Sequence, residues 1–126
     1  ESVMIRENDT LLDVIRRVGE LGVRCAIDDF GSGFASFRYL AELPVDIVKL
    51  DRSLLRTHGA GDDGFVVAEG MISILTKLNK HTILEGVEEA RHCAPFMKDV
   101  SLRFQGYYFG RPVPAAELVN WSFPQG

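Results

Sequence analysis

The residues best suited to chemistry begin in the run 25–37, CAIDDFGSGFASF, where an apolar stretch ends abruptly in two adjacent carboxylates, Asp28 and Asp29. Gly31 and Gly33 bracket Ser32 directly afterwards, forming a turn that small residues make easily. Acidic groups at a strand end, followed by such a turn, are how a rigid sheet presents charge to a ligand. The pattern then recurs along the chain. Lys49 and Asp51 close the apolar run that starts at Val45, Glu85 and Glu88 follow Thr82-Ile83-Leu84, and Gln105 follows Phe104. A single charged strand terminus is ordinarily just solvated. Recurrence on successive strands instead points to one shared site, because parallel strand ends in a β/α barrel converge on one face.

The elements that must position these groups can be read from hydrophobic spacing. Leu11, Leu12, Ile15, Val18 and Leu21 recur at helical intervals after a polar turn at 6–9, and Gly22 supplies the stop. A strand is predicted over 23–27, then a helix carrying Phe37, Tyr39, Leu40 and Leu43 that ends before Pro44. A second strand is expected over 45–51, followed by a glycine-rich connection to residue 64. The longest helix presents Phe65, Val66, Ala68, Met71, Ile72, Leu75 and Leu78 as an apolar face. A third strand over 82–84, a short helix with Ala90 and Cys93, a fourth strand over 104–109 and a last helical turn with Leu118 complete the chain. Trp121 reads as a packing anchor, and strands alternating with helices give an α/β fold with a parallel sheet. The aromatics Tyr107, Tyr108 and Phe109 read mostly as core packing, although one beside a nucleotide site could stack on a base.

Length and composition bound the answer further. The chain has 126 residues, 46% of them hydrophobic and 25% charged, which suits one soluble domain with a real core. Its formal charge of -4 argues against general DNA or RNA binding but leaves room for a phosphate ligand held through metal ions. Cys25 and Cys93 lack metal-ligand spacing and a disulfide framework, and read as small buried hydrophobes. No run reaches the roughly 20 apolar residues of a membrane helix. The expected location is therefore cytoplasmic, with membrane attachment left open for a longer parent protein.

Four segments carry a family resemblance: DDFGSGF at 28–34, LPVDIVKLDRSL at 43–54, ILEGVEE at 83–89 and QGYYFGRPVP at 105–114. In order and separation they resemble the C-terminal half of an EAL domain, a phosphodiesterase that hydrolyses the bacterial second messenger cyclic di-GMP. The resemblance implies a TIM-like (β/α)8 barrel of which this chain covers about half. It also implies a site holding two Mg²⁺ or Mn²⁺ ions, with Asp28 between them and Asp29 and Glu85 serving the second. Lys49 matches the lysine beside the attacking water and scissile phosphate, and Gln105 a glutamine that positions water or ligand. Asp51 and Glu88 match supporting carboxylates near the rim. Glu1 matches a glutamate bracing the loop after the paired aspartates, and Ser32 stands in that loop where threonine is frequent.

Such chemistry is physically coherent. Two hard cations held by carboxylates activate water and offset charge at a pentacoordinate phosphorus, opening cyclic di-GMP to linear pGpG. The Glu-Ala-Leu motif and the remaining metal ligands belong upstream of this chain, so residues 1–126 are expected to be the C-terminal part of one EAL domain and inactive alone. Completion by the missing N-terminal half, in the same or another chain, is the preferred expectation. A non-catalytic cyclic di-GMP-binding or regulatory module is the alternative. The resemblance also suggests a homodimer and an attached sensory or diguanylate cyclase domain.

Overall fold

The structure is a computed structural model and describes residues 2–32, 37–55 and 63–122, with side chains of the first helix described from Thr10 onward. The elements in chain order are α1 (Ser2–Glu20), β1 (Ala26–Phe30), α2 (Phe37–Glu42), β2 (Ile47–Leu50), α3 (Asp63–Lys77), β3 (His81–Leu84), α4 (Ala90–Cys93), β4 (Leu102–Phe104) and α5 (Ala115–Leu118). Short 3₁₀ turns at Arg52–Leu55 and Ala94–Phe96 follow β2 and α4. The strands form one parallel sheet in the order β1-β2-β3-β4. Parallel neighbours need a crossover, and helical segments lie between successive strands. This is an α/β arrangement with four strands, about half of what a (β/α)8 barrel contains.

Three boundaries differ most from the expectation, and β2 is also shorter at both ends than the predicted 45–51. Helix α1 starts at Ser2 rather than after the polar residues 6–9. Those residues lack the glycine or proline that would stop a helix, and a formed helix propagates through weak formers at little cost. Strand β1 begins at Ala26 and includes Asp28 and Asp29, which therefore lie inside the strand rather than beyond it. Strand β4 is Leu102–Phe104, earlier than the predicted 104–109, because Gly106 diverts the chain into a turn.

Side-chain alternation explains where the core sits. Val48 and Leu50 of β2, Thr82 and Leu84 of β3, and Leu102 of β4 are buried, and each is paired in register across the sheet. They face Leu40 of α2 and Ala68, Met71, Ile72 and Leu75 of α3 in a single hydrophobic cluster. Ile47, Lys49 and Ile83 alternate with them and are only half-buried. The sheet thus has one face packed by helices and a second face that carries Lys49. Cys93 belongs to the core and Cys25 packs against it, both as free thiols. Among the described residues, no helix is long and apolar enough to cross a membrane.

Two polar ties hold the ends opposite the site. The Lys80 ammonium donates to the carbonyls of Leu43 at 2.9 Å and Val45 at 2.7 Å, joining the entry of β3 to the entry of β2. Before β4, the Asp99 carboxylate accepts from the hydroxyl and the backbone N–H of Ser101. Those donors hold the Asp99 carboxyl below its ordinary range. A carboxylate with a depressed folded pKa stabilises the fold above its unfolded pKa and loses that contribution as pH falls through the folded value. Ser101→Ala is expected to lower the melting temperature by about 4 °C at pH 7, on the order of one side-chain hydrogen bond, and by much less near pH 3. Equal losses at both pH values in thermal melts would contradict this account.

Candidate metal and ligand site

A local irregularity in the sheet builds the site. Ile27 of β1 pairs with Val48 of β2, and Phe30 pairs with Leu50, so three steps along β1 match two along β2. The extra residue is a β-bulge. Ile27 and Phe30 both pack against the core, and Asp28 and Asp29 lie between them in the stretch opposite Lys49. Asp29 takes a positive φ of 52°, a conformation that aspartate tolerates better than most residues other than glycine. The Asp29 N–H donates to Asp28 Oδ1 at 3.1 Å, and Ser32 Oγ donates to the Asp29 carbonyl at 2.9 Å. The predicted acidic pair and its serine turn therefore brace one another.

The other site residues are fixed by hydrogen bonds that extend the sheet ladder past its strands. Asp51 N–H donates to Phe30 O at 2.9 Å, Glu85 N–H to Leu50 O at 3.0 Å and Gln105 N–H to Leu84 O at 2.9 Å. Beyond Gln105 the chain folds against 86–88, with Val87 N–H donating to Gln105 O at 3.1 Å and Tyr108 N–H to Val87 O at 2.9 Å. A Cβ on Gly106 would collide with the Val87 backbone, which is why glycine is required at that crossing.

These supports bring charges together. Carboxylate oxygens of Asp28, Asp29 and Glu85 lie within 4.8 Å of one another. Lys49 Nζ is 2.6 Å from Glu85 Oε1 and 2.9 Å from Asp28 Oδ1. The lysine side chain is 21% exposed and Glu85 15%, whereas Asp28 is 65% exposed. Hydrogen bonding to Glu85, then to Asp28, raises the Lys49 pKa, so the ammonium stays charged throughout the neutral range. Hydrogen bonding from Lys49 in turn lowers the pKa of Asp28.

The donor set suits a divalent cation. Carboxylates are the hard oxygen ligands that Mg²⁺ and Mn²⁺ take. Oxygens this close together can be spanned by bonds of about 2.0–2.6 Å to one ion. The ammonium bridging Asp28 and Glu85 is a second sign that the carboxylates are arranged to hold positive charge.

A cavity of about 300 Å³ adjoins the cluster and shares Asp29 and Glu85 with it. Asp51, Glu88 and Gln105 also line it, so sequence-predicted residues from all four strands meet at one place. Ser32 sits on the turn beneath Asp29. Glu1, Gly33 and Phe34 lie outside the described residues.

Sequence reasoning gave no site role to Arg52 or Gly86, which line the same cavity, and assigned Tyr107 mainly to packing. Gly86 has φ 68°, and a Cβ there would strike the Arg52 side chain. The available signal for Arg52 was its position directly after Asp51. Among the described residues, Arg52 makes no ion pair despite four carboxylates around the cavity. Tyr108 and Phe109 pack against the core as expected, but Tyr107 is 55% exposed.

The geometry has counterparts among known proteins. A family model described as the EAL domain matches residues 1–112. The chain is similar to the cyclic di-GMP phosphodiesterase NbdA of Pseudomonas aeruginosa, with 36% identity over 121 residues, covering 96% of this chain and 16% of NbdA. The EAL domain of Mycobacterium smegmatis DcpA superposes with a TM-score of 0.82 at 28% identity, covering 95% of this chain and 54% of that one. The PaMucR phosphodiesterase in complex with c-di-GMP gives a TM-score of 0.76 at 31% identity, covering 90% and 46%. The chain thus spans about half the length of these solved structures and a smaller share of NbdA.

Proposed function

Because the chain belongs to the EAL-domain family, we propose that it supplies the C-terminal half of a site that hydrolyses cyclic di-GMP to linear pGpG when the domain is complete. One observation carries this reading: Asp28, Asp29 and Glu85 converge within 4.8 Å around the Lys49 ammonium, beside a cavity that Gln105 also lines. Cyclic di-GMP is the ligand named for the PaMucR complex and the substrate class named for NbdA, which supports the same substrate here.

Asp28, Asp29 and Glu85 would hold the divalent cations, Mg²⁺ or Mn²⁺. Bound there, such ions supply a lowered water pKa and charge compensation at phosphorus. The protein's own contribution is positional. The bulge sets two consecutive carboxylates toward one point, and the ladder bond from Glu85 to Leu50 fixes the third. Lys49, whose pKa is raised by hydrogen bonding to Glu85 and then Asp28, is a cationic donor that would offset charge gathering on the phosphate oxygens. The Gln105 carboxamide orients water or ligand. Asp51 and Glu88 support the rim, and Glu1 and Ser32 steady the loop after the paired aspartates. Water attacks phosphorus, the 3′ oxygen leaves and takes up a proton, and the ring opens at one of its two linkages.

The partner this reading requires is the remaining half of the domain. Homodimerisation, an attached sensory or diguanylate cyclase domain and a cytoplasmic setting belong to the same proposal for the complete protein.

The test is hydrolysis of cyclic di-GMP by a chain carrying the whole domain, followed by chromatography of pGpG. Turnover is expected with Mn²⁺ or Mg²⁺, abolished by a chelator and restored by excess metal. Binding of cyclic di-GMP without turnover under any of these metals would reject hydrolysis and mark a binding module.

A further inference from the structure

Glu88 lines the cavity from a short run after β3 whose backbone is tied down step by step. Glu85 N–H donates to Leu50 O at 3.0 Å and Val87 N–H to Gln105 O at 3.1 Å, both extensions of the sheet ladder. The next tie is of another kind. Glu88 N–H donates to Nδ1 of His92 at 3.2 Å, and His92 N–H donates back to Glu89 O at 3.0 Å. The imidazole closes the entry to α4 where a capping side chain would otherwise do so. Glu89, at the N-cap position, makes no cap bond and gives its carboxylate to Arg91 at 2.7 Å instead.

That substitution of a ring for a cap has a chemical meaning. A backbone N–H needs an acceptor, and imidazole offers one only on a nitrogen that carries no proton. The bond therefore sets the His92 ring in the neutral form with its proton on Nε2. It also sets the direction of the residue before α4. Val87 is fully buried, whereas Glu88 is exposed, and among the described residues the Glu88 carboxylate makes no hydrogen bond or ion pair. Its aim into the cavity is thus fixed through its backbone, between the buried Val87 on one side and the His92 ring on the other.

We propose that His92 is a positioning residue for the reaction, its unprotonated Nδ1 accepting the Glu88 N–H and so aiming the Glu88 carboxylate into the cavity. The inference rests on the reading of that cavity as part of a phosphodiesterase site. His92 does not itself line the cavity and acts through Glu88.

The experiment uses the complete domain and compares the parent with His92→Ala, His92→Asn, Glu88→Ala and the His92→Ala/Glu88→Ala double variant, reading kcat/KM for cyclic di-GMP. His92→Ala is expected to lose about 10-fold, the low end of the cost of removing an outer support of a site. Asparagine carries Oδ1 where histidine carries Nδ1, so His92→Asn keeps an acceptor and is expected to stay within about threefold of the parent. In Glu88→Ala the carboxylate is already gone, and adding His92→Ala is expected to cost no more than about twofold further. Melting temperatures of the His92 variants are expected within about 4 °C of the parent, since water takes up the exposed N–H that the ring releases. Nitrogen NMR of the parent at about pH 8 is expected to show His92 with its proton on Nε2. An active parent in which His92→Ala keeps more than about a third of kcat/KM overturns this inference and leaves the assigned reaction standing. The same further loss in the Glu88→Ala background, an asparagine variant as impaired as the alanine one, or a ring protonated on Nδ1 also overturns it and marks His92 as structural. A parent that does not hydrolyse cyclic di-GMP overturns both.

Discussion

Asp28→Asn in the complete domain is expected to lower kcat for cyclic di-GMP by about 10²–10³-fold or more, the scale on which a fixed charge at a reacting centre acts. The substitution keeps the shape of the side chain and removes only its charge. Asp28 is 65% exposed, so the melting curve should stay close to that of the parent. Lys49 keeps its closer partner, Glu85 at 2.6 Å, and has no cause to leave its place. A large loss of turnover with an unchanged melting curve, together with weaker Mn²⁺ binding by calorimetry, separates a metal ligand from a structural residue. Retention of more than a third of parental kcat would remove Asp28 from the centre.

Lys49→Met is the second large effect, and it is expected to split two quantities that usually move together. Turnover should fall by about 10²–10³-fold, because the cationic donor beside the phosphate is lost. Metal binding should improve, since the ammonium and a divalent cation compete for the same carboxylates of Asp28 and Glu85. Ion pairs between partly exposed groups contribute little net, so Mn²⁺ affinity should tighten by only about two- to fivefold. Hydrogen bonding to Glu85, then to Asp28, raises the Lys49 pKa in the metal-free protein, so the ammonium is charged at neutral pH when the competing cation arrives. Weaker Mn²⁺ binding in Lys49→Met would show that the lysine organises the carboxylates rather than competing for them.

Both variants act on residues that the sequence made visible, and the reason is the periodicity of strands. An apolar run ending in charge needs no tertiary knowledge to be recognised, and its repetition at Asp28, Lys49, Glu85 and Gln105 implied a common face. The parallel sheet and α3 were legible for the same reason, since Val48, Leu50, Leu84 and Leu75 report their burial through spacing, although α1 with 19 residues, and not the 15-residue α3 as expected, is the longest helix. What spacing does not report is a backbone that departs from period two. The bulge in β1 is such a departure, and it moved the paired aspartates from beyond the strand to within it. The turn at Gly106 is another. Three consecutive aromatics read as one continuing strand, whereas close contact with the Val87 backbone bends the chain and sends Tyr107 away from Tyr108 and Phe109. Arg52 was hidden differently. Its place in the cavity depends on the absence of a side chain at Gly86, a residue far away in sequence.

The bulge in β1 also separates what the sheet needs from what the site needs. Ile27 and Phe30 satisfy the core, and an uninterrupted strand would join their partners Val48 and Leu50 with one intervening residue instead of two. Deleting either aspartate would remove the extra residue from β1 and keep Ile27 and Phe30 opposite Val48 and Leu50. Fold and centre are therefore under opposite length requirements along the same few residues. A chain shorter by one residue here would make the more regular sheet, and would have a single carboxylate where two now meet Lys49.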